Sequence, residues 1–139
     1  KLEKAFEDAP RALILVANKE KSIAFKEQFD LLAKNTDLRS VCVFEEGKIN
    51  EQSGEIYFGT DVVIGTAQRI LEIYFERNLN LNKIKLFVID DAHLMEKESL
   101  MDICSLMFNP HKETVAASFI LVGDERGGVI SFKLSKSLT

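Results

Sequence analysis

LFVIDDAHLM, residues 86–95, decides how the rest of the chain is read. Four apolar residues, Leu86 to Ile89, run directly into two aspartates, Asp90 and Asp91, then Ala92 and His93. A short continuous apolar run is the pattern of a strand covered on both faces. A carboxylate at the end of such a strand is costly unless a cation, a hydrogen-bond donor or water satisfies it. One use of the pair is to hold a hydrated divalent cation beside a phosphate, with the second carboxylate orienting a water. The other is to cap the helix that follows, because Asp is a good N-cap.

The flanking segments repeat the pattern of strand then helix. ALILVA (12–17), VCVFE (41–45), DVVIGT (61–66), KLFVID (85–90) and SFILVG (118–123) are the apolar runs. Between them, Glu20 to Lys34 reads as an amphipathic helix with Ile23, Phe25, Phe29 and Leu32 as its apolar members. Lys48 to Phe58 is a weaker helix, interrupted by Ser53-Gly54. Gln68 to Arg77 is a helix with Ile70, Leu71 and Tyr74 on one face. Leu100, Ile103, Cys104 and Met107 follow the i, i+3, i+4, i+7 spacing of another, closed by Asn109-Pro110. After SFILVG, DERGG reads as a turn and VISFKL (129–134) as a sixth strand.

Strands separated by helices imply a parallel sheet with helices on both faces, an α/β three-layer domain. Ligands in such sheets collect at the carboxyl ends of the strands. Asn18, Thr66, Asp90 and Gly123 all stand at such ends and are expected along one rim. SFILVG-DERGG-VISFKL reads as a hairpin that lays VISFKL antiparallel beside SFILVG.

Composition limits the function classes. The 139 residues fit a single domain, 1–139, with a real core. The net charge is −4, so any nucleic-acid contact must be a local patch. No apolar run approaches the ~20 residues of a membrane span. Cys42 and Cys104 lack a CxxC partner and read as reduced, buried thiols of a cytoplasmic protein. Two histidines, His93 and His111, without HExxH or paired cysteines, make a structural zinc site a poor fit.

Three short motifs, each after an apolar strand, resemble the first RecA-like domain of DEAD-box RNA helicases over residues 10–108. ANKEK (17–21) falls on that family's Pro-Thr-Arg-Glu-Leu motif, GTAQR (65–69) on Gly-Thr-Pro-Gly-Arg, and Asp90-Asp91-Ala92-His93 on Asp-Glu-Ala-Asp. Gly47 and Gln52 fall near the family's glycine loop and following glutamine. The resemblance implies a RecA-like sheet in the order SFILVG, KLFVID, ALILVA, DVVIGT, VCVFE, all parallel. It implies ATP and Mg²⁺ as ligands of the full-length protein, and RNA and a second RecA-like domain as partners.

By the same resemblance, Asp90 holds Mg²⁺ through water and Asp91 replaces the glutamate that positions the attacking water, one methylene shorter. His93 couples the nucleotide site to the next motif; its plain alternative is a solvent-facing helix residue. Asn18 and Lys19 match the pair that touches the RNA backbone, and Lys19 lacks the fork of Arg. The resemblance also makes Thr66, Ala67, Gln68 and Arg69 RNA-binding: Thr66 and Arg69 match the family identically, whereas Ala67 and Gln68 replace Pro-Gly and alter the turn. The plain alternative for Lys19 and Arg69 is a solvated charge at a helix start.

The sequence holds no GxxxxGK[ST], the loop whose backbone N–H groups cradle phosphates. The helicase layout puts that loop upstream of ALILVA, so a piece cut after it is the expectation. Gly123-Asp124-Glu125 stands where the family has Ser-Ala-Thr. Two functions stay open: part of an ATP-dependent helicase motor, or a non-catalytic module of the same fold that binds RNA or protein. A flavodoxin-like receiver domain, which also carries an aspartate pair, would show a different strand order.

Overall fold

The computed structural model describes residues 9–108, 117–122 and 129–134. Six strands form one sheet: β1 (Ala12–Val16), β2 (Ser40–Val43), β3 (Val62–Thr66), β4 (Leu86–Asp90), β5 (Ala117–Val122) and β6 (Val129–Leu134). Their spatial order is β2-β3-β1-β4-β5-β6. The first five are parallel, and β6 pairs antiparallel with β5 from Ala117↔Leu134 to Val122↔Val129. This is the expected order, with β4 inside the sheet and β2 away from it. A receiver-domain order is excluded.

Side chains alternate along each strand, so the sheet builds two cores. Leu13, Leu15, Val63, Phe87 and Ile89 face a larger core closed by α2 (Ile49–Phe58), α3 (Ala67–Phe75) and α4 (Lys97–Met107), through Ile56, Ile70, Ile73 and Ile103. Ile14, Val16, Ile64 and Val88 face a smaller one, on which α1 (Lys19–Leu32) lays Phe25 and Phe29. Helices on both faces make the three layers.

Two local expectations change. Leu32 is 84% exposed, and the fully buried residue of α1 is Ser22. Its hydroxyl donates to Ile64 O at 3.3 Å, so a small polar residue seats the helix closely on β3. Helix α2 is continuous through Ser53-Gly54; tertiary packing of Ile56 outweighs the glycine's weak propensity. At the amino ends of the strands, the buried Asp61 carboxylate pairs with the Arg11 guanidinium and accepts the Arg39 N–H at 3.0 Å. It ties the starts of β1, β2 and β3 together. The expected helix stop at Asn109-Pro110, the rim position of Gly123 and the DERGG turn lie outside the described residues. No described helix is long and apolar enough to cross a membrane.

Candidate functional site

The register builds the rim. Val16 pairs with Thr66 across β1 and β3, and Leu15 with Ile89 across β1 and β4, so Asp90 ends one step beyond Ile89, level with Val16. Asp90 pairs in turn with Val122 of β5. Asn18, Thr66 and Asp90 therefore share the carboxyl rim, as the strand ends predicted. Alternation turns Asp90 towards the α1 side of the sheet, where it joins Lys21, Phe25, Gln28 and Phe29 in lining an apolar cleft of about 380 Å³.

Helices α1 and α3, which start on this rim, are capped by residues singled out above. Asn18 is the N-cap of α1, and its Oδ1 accepts the Lys21 N–H at 2.9 Å. Thr66 is the N-cap of α3 and accepts the Arg69 N–H at 3.4 Å. The Thr66 hydroxyl donates to Glu45 Oε1 at 2.7 Å. Asn18 and Gln68 are exposed, Lys19 is half-buried with its ammonium 5.7 Å above the Phe44 ring, and Thr66 and Ala67 are buried.

The plain alternative for Arg69 does not hold. Arg69 is only 8% exposed, neither a solvated charge nor a side chain offered to solvent. Its guanidinium donates to Gly47 O at 3.0 Å, Gln52 Oε1 at 2.9 Å, Glu45 O at 3.0 Å and Glu72 Oε1 at 2.8 Å. Gln52 in turn donates to Phe44 O at 3.1 Å. A Cβ on Gly47 would collide with the Gln52 amide. Gly47, Gln52 and Arg69 thus form one unit that pins the loop between β2 and α2 against the start of α3. The spacing of the motifs did not reveal this, nor the part of Glu45.

At the acidic pair, Asp91 adopts left-handed backbone (φ 61°, ψ 54°), a conformation Asp tolerates better than most residues. Its N–H donates to Val122 O at 2.8 Å. The capping alternative does not hold: the short 3₁₀ turn Ala92–Leu94 has no side-chain cap, and α4 starts later with Glu96 as its N-cap. Asp91 Oδ2 instead lies 3.1 Å from the Lys21 ammonium. Burial pushes the Asp90 carboxyl above its ordinary range, the Asp91 charge adds to this, and Lys21 opposes it. His93 is exposed on the 3₁₀ turn.

The strand order, with helices on both faces of the sheet, is that of a RecA-like α/β domain. The match goes further: a DEAD/DEAH box helicase family model covers residues 1–120, and the chain belongs to that family. It is 33% identical over 86 residues to the ATP-dependent RNA helicase RhlB of Vibrio atlanticus, an overlap of 62% of this chain and 20% of RhlB. It is 27% identical over 99 residues to the ATP-dependent RNA helicase DBP6 of Meyerozyma guilliermondii, 71% of this chain and 16% of DBP6. The crystal structure of a DEAD box protein from Methanococcus jannaschii superposes with a TM-score of 0.69 at 24% identity, over 83% of this chain and 31% of that one. The yeast splicing factor Prp28 superposes at 0.65 with 20% identity, over 69% of this chain and 23% of that one. The chain spans about a fifth of the length of the curated relatives it matches.

Proposed function

We propose that this domain is the RNA-backbone-contacting part of an ATP-dependent RNA helicase motor that works in the cytoplasm. The observation that carries the reading is a pair of helix N-termini on one rim: α1 and α3 begin at the carboxyl ends of the adjacent strands β1 and β3. The first turn of a helix has N–H groups without intrahelical partners and a partial positive charge, which suits phosphate oxygens. Asn18, Lys19 and Gln68 offer side chains beside those turns. Thr66, Ala67 and Arg69 act from beneath, by fixing the turn at the start of α3. Glu45 and Glu46 put negative charge on the loop between β2 and α2 beside these turns, so the contact is weak and its salt dependence modest. In this reading Asp90, Asp91 and His93 face the nucleotide side of the same rim, and a second RecA-like domain completes both sites.

A specific observation favours the second reading, a non-catalytic module of the same fold. The carboxylate standing for the water-positioning glutamate is short and engaged with Lys21.

Fluorescence anisotropy with single-stranded RNA tests the proposal. Binding is expected to weaken as salt rises, to fall several-fold in Lys19→Glu and Gln68→Glu, and to strengthen in Glu45→Gln. RNA binding that is absent, or that ignores all three substitutions, would remove the rim as the contact.

A further inference from the structure

The acidic pair does not fit a dedicated metal site as it stands. Mg²⁺ needs near-octahedral oxygen ligation and is held by one or two carboxylates together with phosphates and water. Here one of the two carboxylates faces an ammonium, and no cluster of three or more acidic, His or Cys side chains able to hold a metal occurs among the described residues. We infer that Lys21 is the resident counter-cation of the Asp90–Asp91 pair and keeps divalent metal out of it. This goes beyond the RNA reading and does not depend on it.

Four observations carry the inference. The Lys21 ammonium lies 3.1 Å from Asp91 Oδ2, and the Asp91 side chain is only 15% exposed, against 42% for Lys21. The pair is therefore shielded enough for one cation to matter. Lys21 and Asp90 also line the same cleft, so the ammonium that pairs with Asp91 stands near the second carboxylate as well. It sits in the first turn of α1, where the helix dipole disfavours a cation; the two carboxylates supply the opposing field. Finally, the Asn18 cap holds the Lys21 backbone, and the Val122 carbonyl holds the Asp91 backbone. The contact is thus built from two anchored positions rather than two loose side chains. By the resemblance in motif order, Lys21 stands at the leucine of Pro-Thr-Arg-Glu-Leu, so the cation belongs to this chain and not to the family's pattern.

The consequence is competition. A divalent ion entering the pair must displace an ammonium already in hydrogen-bond range, and removing the ammonium leaves Asp91 without its cation among the described residues. The test is titration of the full 139-residue chain with Mn²⁺ alone, followed by electron paramagnetic resonance, without RNA or nucleotide. The parent is expected to show only weak, unsaturated binding. Lys21→Met and Lys21→Gln should bind Mn²⁺ at least about tenfold more tightly, equivalent to ~1.4 kcal/mol. Lys21→Arg should behave like the parent, and adding Asp90→Asn to Lys21→Met should abolish the gain. As a second readout, Mg²⁺ should raise the melting temperature of Lys21→Met and leave that of the parent where it is in the same concentration of K⁺. If the Lys21 variants bind Mn²⁺ no more tightly than the parent, whether both bind or neither does, the inference is overturned. Equal tightening in Lys21→Arg and Lys21→Met would overturn it too, because the charge would then be irrelevant. None of these outcomes touches the RNA titrations, so the two readings fail separately.

Discussion

Arg69 Nη1 donates to Gln52 Oε1 at 2.9 Å, joining the start of α3 to the first turn of α2 inside the protein. Both side chains are buried. A residue that reads as a surface contact for a nucleic-acid backbone is the centre of an internal scaffold, and this changes what its replacement should do.

Arg69→Ala leaves the Gly47 and Glu45 carbonyls and the Gln52 amide without their donor. Buried polar groups stripped of a charged partner cost about 3 kcal/mol. Arg69→Lys should recover only part of this, since one ammonium cannot reach four acceptors in a planar fork. Urea denaturation should show the loss in both variants. Undiminished stability together with weakened RNA binding would return Arg69 to a direct contact.

Gly65 of β3 lies against the end of β2, paired with Val43. A Cβ there would lie 2.6 Å from the Val43 carbonyl oxygen and would run into a Val43 methyl group. The obstacle is backbone of the paired strand β2, which cannot swing away. Gly65→Ala is expected to cost about 2 kcal/mol through overpacking, read as a lower urea midpoint at an unchanged slope. A silent substitution would mean that β2 shifts freely at the edge of the sheet.

Asp90 carries a pH signature. Its carboxyl titrates above the ordinary range in the folded chain because of burial and the Asp91 charge, against the pull of Lys21. The folded state therefore holds the proton more tightly than the unfolded chain. Ionised Asp90 opposes folding at pH 7, and the opposition disappears once the pH falls below the unfolded carboxylate range. Asp90→Asn should accordingly raise stability at pH 7, with a gain that shrinks towards pH 3. A gain that grows on acidification would reverse the sign argued here. Guanidinium melts at the two pH values decide it.

The 139-residue chain should not hydrolyse ATP above buffer. Phosphoryl transfer depends on positioning and charge neutralisation. The sequence has no GxxxxGK[ST] to cradle the phosphates, and the carboxylate at Asp91 is shortened and engaged by Lys21. Losing one preorganised stabilising group typically costs about 10² to 10³ in rate. Phosphate release with and without RNA checks this, with Asp90→Ala as the control for a contaminant. RNA-stimulated turnover that vanishes in Asp90→Ala would show a competent ATPase.

The strands, the helices and the parallel sheet were legible in the sequence, because apolar runs and helical spacing are local patterns that survive without coordinates; the hairpin reading gave the antiparallel β6, and the strand order came from the resemblance that the three ordered motifs carry. So was the sharing of one rim by Asn18, Thr66 and Asp90, which follows from their places at strand ends. The commitments of individual side chains were not legible. Leu32 fits the helical face that Phe29 occupies, yet α1 ends beyond the edge of its core, and Ser22 fills the closest approach instead. Arg69 looks the same in sequence whether it points to solvent or to Gly47, Glu45 and Gln52. Only the packing of α2 against α3 turns it inward. Lys21 is one charge among many until parallel pairing of β1 with β4 brings the start of α1 over Asp91. Periodicity is a property of neighbours in the chain; charge pairing and burial depend on neighbours in space, and those exist only once the sheet has assembled.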